Sequence, residues 1–159
     1  MENTSNYLLI LEESLGKKIV ILDELTRLTS EQKEIVNAET FDDDAFDNNI
    51  EKKAALVNEL GKLDNGFELL YKDVKGQLET ERDRYADEIK RLQTRIKEIM
   101  DKSASLQVME QRNNELIKNK FNSLKKEARQ IKKSREMAAN YYKTMNNISS
   151  EPYFLDKKK

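Results

Sequence analysis

Alternating carboxylates in the stretch TFDDDAFD, residues 40–47, come closest in this sequence to a metal site. Asp42 and Asp44 have the spacing of the first two ligands in an EF-hand calcium loop. Phe46 stands where the next ligand is required, however, and the glycine needed for the sharp turn is missing. We therefore expect no calcium here, and instead expect Thr40 or Asp42 to cap a following helix.

The side chains that serve most enzymes are absent. The sequence contains no cysteine and no histidine, which removes thiol nucleophiles, disulfides, the usual structural zinc ligands and the best proton-transfer group near neutral pH. We therefore predict no catalytic residues, no metal and no cofactor, and we expect a function based on binding.

Composition favours thin, elongated helical packing. The 159 residues are 37% hydrophobic and 37% charged, and only four glycines and one proline are available for turns. No apolar run approaches the roughly 20 residues that cross a bilayer, and the start MENTSN lacks the basic segment of a signal peptide. We expect an all-α protein that stays in the cytoplasm.

Apolar residues recur at helical spacing in three long segments. They predict helices over about 6–39, 43–75 and 80–146, followed by a flexible, non-helical tail over 147–159. Gly61 and Gly66 could break the second helix near Asn65. The predicted fold class is an elongated antiparallel coiled-coil bundle of three long helices, with the third about twice as long as the others.

The unequal lengths make the segment 117–146 the interesting one. At 1.5 Å per residue the first two helices span about 50 Å each and the third roughly 100 Å. A hairpin of the first two would leave 117–146 without a partner in the same chain. The alternative is a hinge near Ser103 that folds this segment back into a closed four-helix bundle, with no binding surface left.

Charge and pattern suggest what such a free segment would bind. Residues 117–146 carry nine basic and two acidic side chains beside a thin apolar stripe. An amphipathic helix with acidic flanks fits this surface. Nucleic acid is not expected, since the basic residues lie all around the helix. Direct membrane insertion is not expected either, because the apolar face is narrow.

The sequence resembles the flagellar export chaperone FlgN family, in particular its clostridial-type branch. The resemblance rests on EKKAALVNELGKLDNGFE at 51–68, QRNNELI at 111–117, and YYKTMN followed by FLDKKK near the end. In that family the second helix carries a lysine near its start, here Lys52 or Lys53. The third helix holds an asparagine pair before Leu-Ile, here Asn113 and Asn114. A glycine that often follows the tyrosine segment is missing.

The resemblance implies a non-enzymatic cytoplasmic chaperone of flagellar type III export. Its clients, the exported proteins it binds, would be the hook-filament junction proteins FlgK and FlgL, held by their C-terminal segments and delivered to the export gate. One alternative is a FliT-like chaperone of the filament cap protein. Another is a structural coiled-coil adaptor that forms a homodimer through residues 117–146.

Candidate binding residues lie on the apolar stripe of the third helix and in the tail. Asn113 could equally set the helix register, and one of the two adjacent tyrosines is expected to face outward. The apolar tail residues beyond Pro152 could dock on the chain itself, on a client or on the export gate. The candidates are Asn113, Ile117, Phe121, Leu124, Ile131, Tyr141, Tyr142, Met145, Tyr153, Phe154 and Leu155.

Overall fold

A computed structural model describes residues 2–125 and 132–149, and the side chains of residues 3–125 and 135–146. It has four α-helices: α1 (Glu2–Asn37), α2 (Asp43–Thr80), α3 (Ala86–Leu124) and α4 (Lys132–Ser149). The described part of the chain contains no strand, so the all-α prediction is confirmed. None of these helices is both long and apolar enough to cross a membrane.

Helices α1 and α2 form an antiparallel hairpin. The Asn49 side-chain amide donates to the Leu28 carbonyl at 2.9 Å, and Lys18 Nζ lies 2.7 Å from Asp64 Oδ1 further along the pair. Between the helices, Asp42 Oδ1 accepts a hydrogen bond from the Ala45 amide at 3.0 Å. Asp42 is therefore the N-cap of α2, which agrees with the capping role expected of this acidic stretch.

Helix α3 runs parallel to α1. Arg91 Nε donates to Glu12 Oε1 at 3.0 Å, and Lys102 Nζ donates to Asp23 Oδ1 at 2.7 Å. These two contacts are separated by eleven residues on each helix, which fixes the parallel direction and the register.

The turn between α2 and α3 lies later than the sequence pattern predicts. Helix α2 passes through all three of its glycines, including Gly76, and ends at Thr80 rather than near residue 75. Helix α3 then begins at Ala86 rather than at residue 80. Both boundaries are explained by burial, because Leu78 and Tyr85 are 7% and 2% exposed and extend the core beyond Gly76.

The prediction of a doubled third helix is wrong. Helix α3 ends at Leu124, and Lys132 begins a separate helix of 18 residues. The reversal does not fall near Ser103 either, since α3 is continuous there. Lys102 is paired with Asp23, and Leu106 is 1% exposed, so residues on either side of Ser103 hold α3 against the bundle.

Helix α4 packs against α2 and α3, and Tyr142 joins it to α1 through a hydrogen bond to Gln32. Its apolar face is buried, with Ala138, Tyr141, Tyr142 and Met145 each no more than 7% exposed. The expectation that residues 117–146 lack a partner in the same chain is therefore wrong. Turning back buries a face that a straight third helix would leave in water.

The core runs the whole length of the bundle. Helix α4 joins the core towards the α1–α2 turn, where Tyr142 contacts Gln32 and Tyr141 contacts Lys53. The most deeply buried apolar side chains, each no more than 2% exposed, are Leu8, Leu11, Leu15, Leu25, Leu28, Phe46, Ile50, Val57, Leu60, Val74, Tyr85, Leu92, Ile99 and Leu106.

A buried ion pair lies in the α1–α2 interface. The side chains of Lys18 and Asp64 are 3% and 13% exposed. Burial lowers the pKa of Lys18 to about 8 although Asp64 opposes the shift. Burial also raises the pKa of Asp64, against the influence of Lys18. Both shifts disfavour the charged forms, so desolvation outweighs the attraction between the two groups.

We expect the double variant Lys18→Met/Asp64→Leu to be as stable as the natural chain at pH 7, or more stable. In the natural chain Lys18 has a lower pKa when folded than when unfolded, so the unfolded state holds more protons above pH 8. The contribution of Lys18 to the free energy of unfolding should therefore rise by about 1 kcal/mol from pH 7 to pH 9. Urea denaturation at both pH values should show that this rise is smaller in the double variant.

Lys17→Met is the matched control, because Lys17 neighbours Lys18 in sequence and is exposed. This variant should keep the pH dependence of the natural chain. An equal rise between pH 7 and pH 9 in the double variant would contradict the burial argument.

Candidate functional site

A second and deeper ion pair joins α2 to α3. Lys53 Nζ lies 2.6 Å from Glu110 Oε1, and the two side chains are 0% and 5% exposed. The hydroxyl of Thr29 on α1 also donates to this Glu110 oxygen at 3.2 Å, so three helices meet at one carboxylate. A charge pair this deep is unusual in a bundle whose other layers are mostly apolar.

Gln32 on α1 is the shared acceptor of the cluster. Its Oε1 accepts from Lys53 Nζ at 3.2 Å, from Asn113 Nδ2 at 3.0 Å and from the Tyr142 hydroxyl at 2.7 Å. Asn113 Nδ2 also donates to the Thr29 carbonyl at 2.7 Å. One oxygen therefore connects all four helices through side chains.

Two aromatic rings from α4 cover the charge pair. Lys53 Nζ lies 4.5 Å from the Tyr141 ring centroid and 5.7 Å from that of Tyr142. The rings themselves meet edge to face at 5.3 Å between centroids. Cation–π attraction in a place without water thus adds to the apolar contacts that hold α4.

The electrostatics keep the tyrosines protonated. Burial raises the pKa values of Tyr141 and Tyr142 well above the usual range, and the Glu110 carboxylate adds to both shifts. The Tyr142 hydroxyl therefore remains a hydrogen-bond donor at any physiological pH. Burial also lowers the pKa of Lys53, while Glu110 opposes this change by pairing with the ammonium.

The cluster is not completely satisfied. Glu110 Oε2, Gln32 Nε2 and the Tyr141 hydroxyl oxygen are buried and make no hydrogen bond within the described part of the chain. A buried polar atom without a partner costs about 1–3 kcal/mol. Helix α4 therefore covers the cluster without satisfying every group beneath it.

The arrangement is suited to holding a helix. Across the described ranges 2–125 and 132–149, no three acidic side chains are placed to hold a metal ion. What the cluster does offer is a groove between α2 and α3, with charged and polar groups on its floor and an amphipathic helix seated in it.

Comparison with protein families identifies the chain. A family model described as FlgN protein matches residues 8–147. This chain belongs to the FlgN family. FlgN proteins are flagellar export chaperones, which bind other flagellar proteins. Neither the curated proteins nor the solved structures gave a match.

The residues that carried the FlgN resemblance come together in the fold. Of the two candidate lysines, Lys53 is buried in the cluster and Lys52 is exposed. Asn113 and the tyrosine pair contact the same cluster, although they are far from Lys53 in sequence. The three separate FlgN-like stretches thus contribute to one layer of the bundle.

The predicted binding residues divide into three groups. Asn113, Ile117, Phe121, Tyr141, Tyr142 and Met145 are buried between the helices, and Leu124 is partly buried. Their role in binding a partner stays a prediction. Ile131, Tyr153, Phe154 and Leu155 lie outside the described residues.

The expectation that one of the two tyrosines faces outward is wrong. Tyr141 and Tyr142 are 3% and 7% exposed. Adjacent positions on a helix differ by about 100° in direction, so they cannot both face one flat surface. They can both be buried here because α4 lies in a groove with two walls, which α2 and α3 provide.

Sequence reasoning missed Thr29, Gln32 and Glu110. Gln32 and Glu110 interrupt the apolar stripes of α1 and α3, just as Lys53 interrupts that of α2. A polar residue at a stripe position is a visible signal, and the sequence pattern shows such interruptions at Ser103, Asn113 and Arg135 of the predicted third helix as well. Placing the interruptions of all three helices at one level would have located the cluster.

We expect Lys53 and Glu110 to be strongly coupled. Replacing one alone, by Lys53→Met or Glu110→Leu, leaves the other charge buried without its partner and should lower the free energy of unfolding by about 3–5 kcal/mol. The double variant Lys53→Met/Glu110→Leu should lose much less than the sum of the two. A double-mutant cycle by guanidinium denaturation measures this coupling.

The exposed pair of Arg27 and Glu24 on α1 is the matched control, because both side chains are largely in water. The same cycle on Arg27→Met and Glu24→Leu should give little coupling. If the Lys53 and Glu110 losses simply add, the pair is not the connection that we describe.

Proposed function

We propose that this member of the FlgN family binds the C-terminal segments of FlgK and FlgL in the cytoplasm, keeps them unassembled and delivers them to the export gate. In this proposal a client helix takes the place of α4 in the groove between α2 and α3. The chain acts by binding alone, with no catalytic step. We propose the helical region as the folded body. Residues 147–149, predicted to open the non-helical tail, belong to α4, so we propose that the tail begins after Ser149.

The observation that carries this proposal is the way α4 is held. It has 18 residues against 38 and 39 for the two helices that it contacts, so it covers only about half of their length. Among the described side chains, the Tyr142–Gln32 hydrogen bond is the one that joins α4 to the other helices. No ion pair of the described residues crosses this boundary. A short helix held by one hydrogen bond, by the contact of Lys53 with its tyrosine rings and by a small apolar face is suited to replacement.

The buried candidate residues then have two roles. Asn113, Ile117 and Phe121 lie on α3 and form part of the groove wall, where a client helix would contact them. Tyr141, Tyr142 and Met145 belong to α4 and would leave the groove when a client enters. Under this proposal Asn113, Ile117 and Phe121 contact a client only while α4 is displaced.

Two further candidates extend the groove towards the α1–α2 turn. Leu124 is partly buried at the end of α3, and Phe121 lies 5.4 Å from Phe46 and 5.9 Å from Phe41 between ring centroids. Aromatic side chains at this end would receive the apolar residues of a longer client segment. Ile131, outside the described residues, stays a proposed client contact.

For the tail we keep the proposal that Tyr153, Phe154 and Leu155 bind a client or the export gate. Burying three such side chains in a partner could supply several kcal/mol. Deletion of residues 151–159 should therefore weaken binding to clients or to the gate while leaving the midpoint of urea unfolding unchanged. Unchanged binding to both would contradict a role for the tail.

The central experiment is a calorimetric titration of the full chain with the last 40 or so residues of FlgK and of FlgL from the same organism. The corresponding segment of the filament cap protein is the comparison. We expect FlgK and FlgL segments to bind. Tyr142→Ala should tighten their binding, because it weakens the helix that competes with them.

Leu124→Asp should weaken the same binding by placing a charge in the groove wall. Its matched control is Val108→Asp, also on α3 but at a position that is 45% exposed on the outer face. Binding of the cap segment alone would favour a FliT-like chaperone instead. Binding of none, together with a concentration-dependent dimer, would favour the coiled-coil adaptor.

A further inference from the structure

The floor of the groove beneath Tyr141 carries a positive charge rather than an apolar surface. We infer that the helix which replaces α4 must place an aromatic ring over Lys53, so that amphipathic helices with aliphatic residues at this position are rejected. This inference rests on the proposed function, since it names the class of helix that the same groove selects.

The argument begins with the protons of the Lys53 ammonium. An ammonium has three N–H donors. Two acceptors lie within reach, Glu110 Oε1 at 2.6 Å and Gln32 Oε1 at 3.2 Å. The remaining side of the ammonium is covered by α4, with the Tyr141 ring centroid 4.5 Å from Nζ. The negative face of that ring therefore takes the place of a third acceptor.

An aliphatic side chain could not do the same. Lys53 is 0% exposed, so water cannot complete its coordination while a helix fills the groove. A leucine at this place would match the apolar area of a ring but would leave one side of a charged group without an electrostatic partner. The groove therefore selects helices by whether an aromatic ring faces the Lys53 charge, whereas ordinary helix-binding grooves select mainly by apolar area.

The face of α4 supplies the pattern that an entering helix should share. Ala138, Tyr141, Tyr142 and Met145 are its buried residues, spaced by three, one and three positions. Tyr141, whose ring lies over Lys53, comes three residues after the small Ala138 and four residues before the flexible Met145. We expect client segments to present an aromatic residue in the same relation to small and apolar neighbours.

The test uses a labelled peptide of residues 132–149, whose sequence is that of α4, as the probe. The acceptor is the full chain with Ala138→Glu, which places a carboxylate at a position that is 3% exposed and so releases its own α4. Fluorescence anisotropy should give similar affinities for the natural peptide and its Tyr141→Phe form. The Tyr141→Leu peptide should bind about tenfold more weakly.

The same titration in a chain that also carries Lys53→Met/Glu110→Leu is the matched control, because its floor has no charge. There the loss caused by Tyr141→Leu should nearly vanish. A tenfold loss that persists in this chain would overturn the inference, as would equal binding of all three peptides to the charged floor.

A second measurement covers the case in which Ala138→Glu does not open the groove and no peptide binds. Amide hydrogen exchange in α4 of the full chain should be faster in Tyr141→Leu than in Tyr141→Phe, and equal exchange would overturn the inference. The outcome is separate from the FlgK and FlgL titration. If those segments fail to bind while the ring is still preferred, the clients are wrong and the selection rule remains.

Discussion

Lys53 has no contact with water, and its charge is balanced inside the bundle by Glu110 at 2.6 Å. Each of the four helices supplies side chains to the cluster around this pair. Helix α2 supplies the ammonium and α3 the carboxylate, while α1 supplies Gln32 and Thr29 as further partners. The two tyrosines of α4 then close the cluster. Moving any helix by one turn, about 5 Å, would separate the charges in a medium where neither can be solvated.

Such a pair contributes more to specificity than to stability. Desolvation of two charges typically offsets most of their attraction, and an apolar pair of similar volume often stabilises as well or better. Leucine-rich stripes alone, however, would allow helices to slide by a heptad or to pair in the wrong direction. The polar layer excludes those alternatives. Lys18 and Asp64 serve α1 and α2 in the same way, nearer the other end of the hairpin.

Periodicity in the sequence predicts most of the architecture. The stripes of α1 and α2, the acidic cap at Asp42 and the core around Leu92, Ile96 and Ile99 all follow from local patterns and are present in the structure. The direction of α4 does not follow, because residues 77–151 contain neither glycine nor proline to mark a reversal. Whether that segment continues or folds back depends on burial against helices that are distant in sequence.

The candidate binding residues illustrate the same division. Tyr141, Tyr142 and Met145 can be recognised as an apolar face from their spacing, but their seat is a groove made by Lys53, Glu110 and residues of α1. No local pattern joins positions 32, 53, 110 and 142. The resemblance to the FlgN family pointed to Lys52 or Lys53 and to Asn113 without a physical reason. The fold supplies a reason, since Lys53 and Asn113 both belong to the polar layer.

The proposed replacement of α4 must also overcome its tether. A helix attached through residues 125–131 meets its groove at an effective concentration in the millimolar range, so a free client competes at a large disadvantage. The apparent affinity of a client falls by the fraction of chains that are open. The unpaired atoms of the cluster, Glu110 Oε2, Gln32 Nε2 and the Tyr141 hydroxyl oxygen, reduce the stability of the closed form. A client helix that keeps the ring over Lys53 and also pairs Glu110 Oε2 or Gln32 Nε2 would gain what α4 lacks. The same imperfect fit that leaves α4 replaceable thus favours helices whose polar groups match the floor.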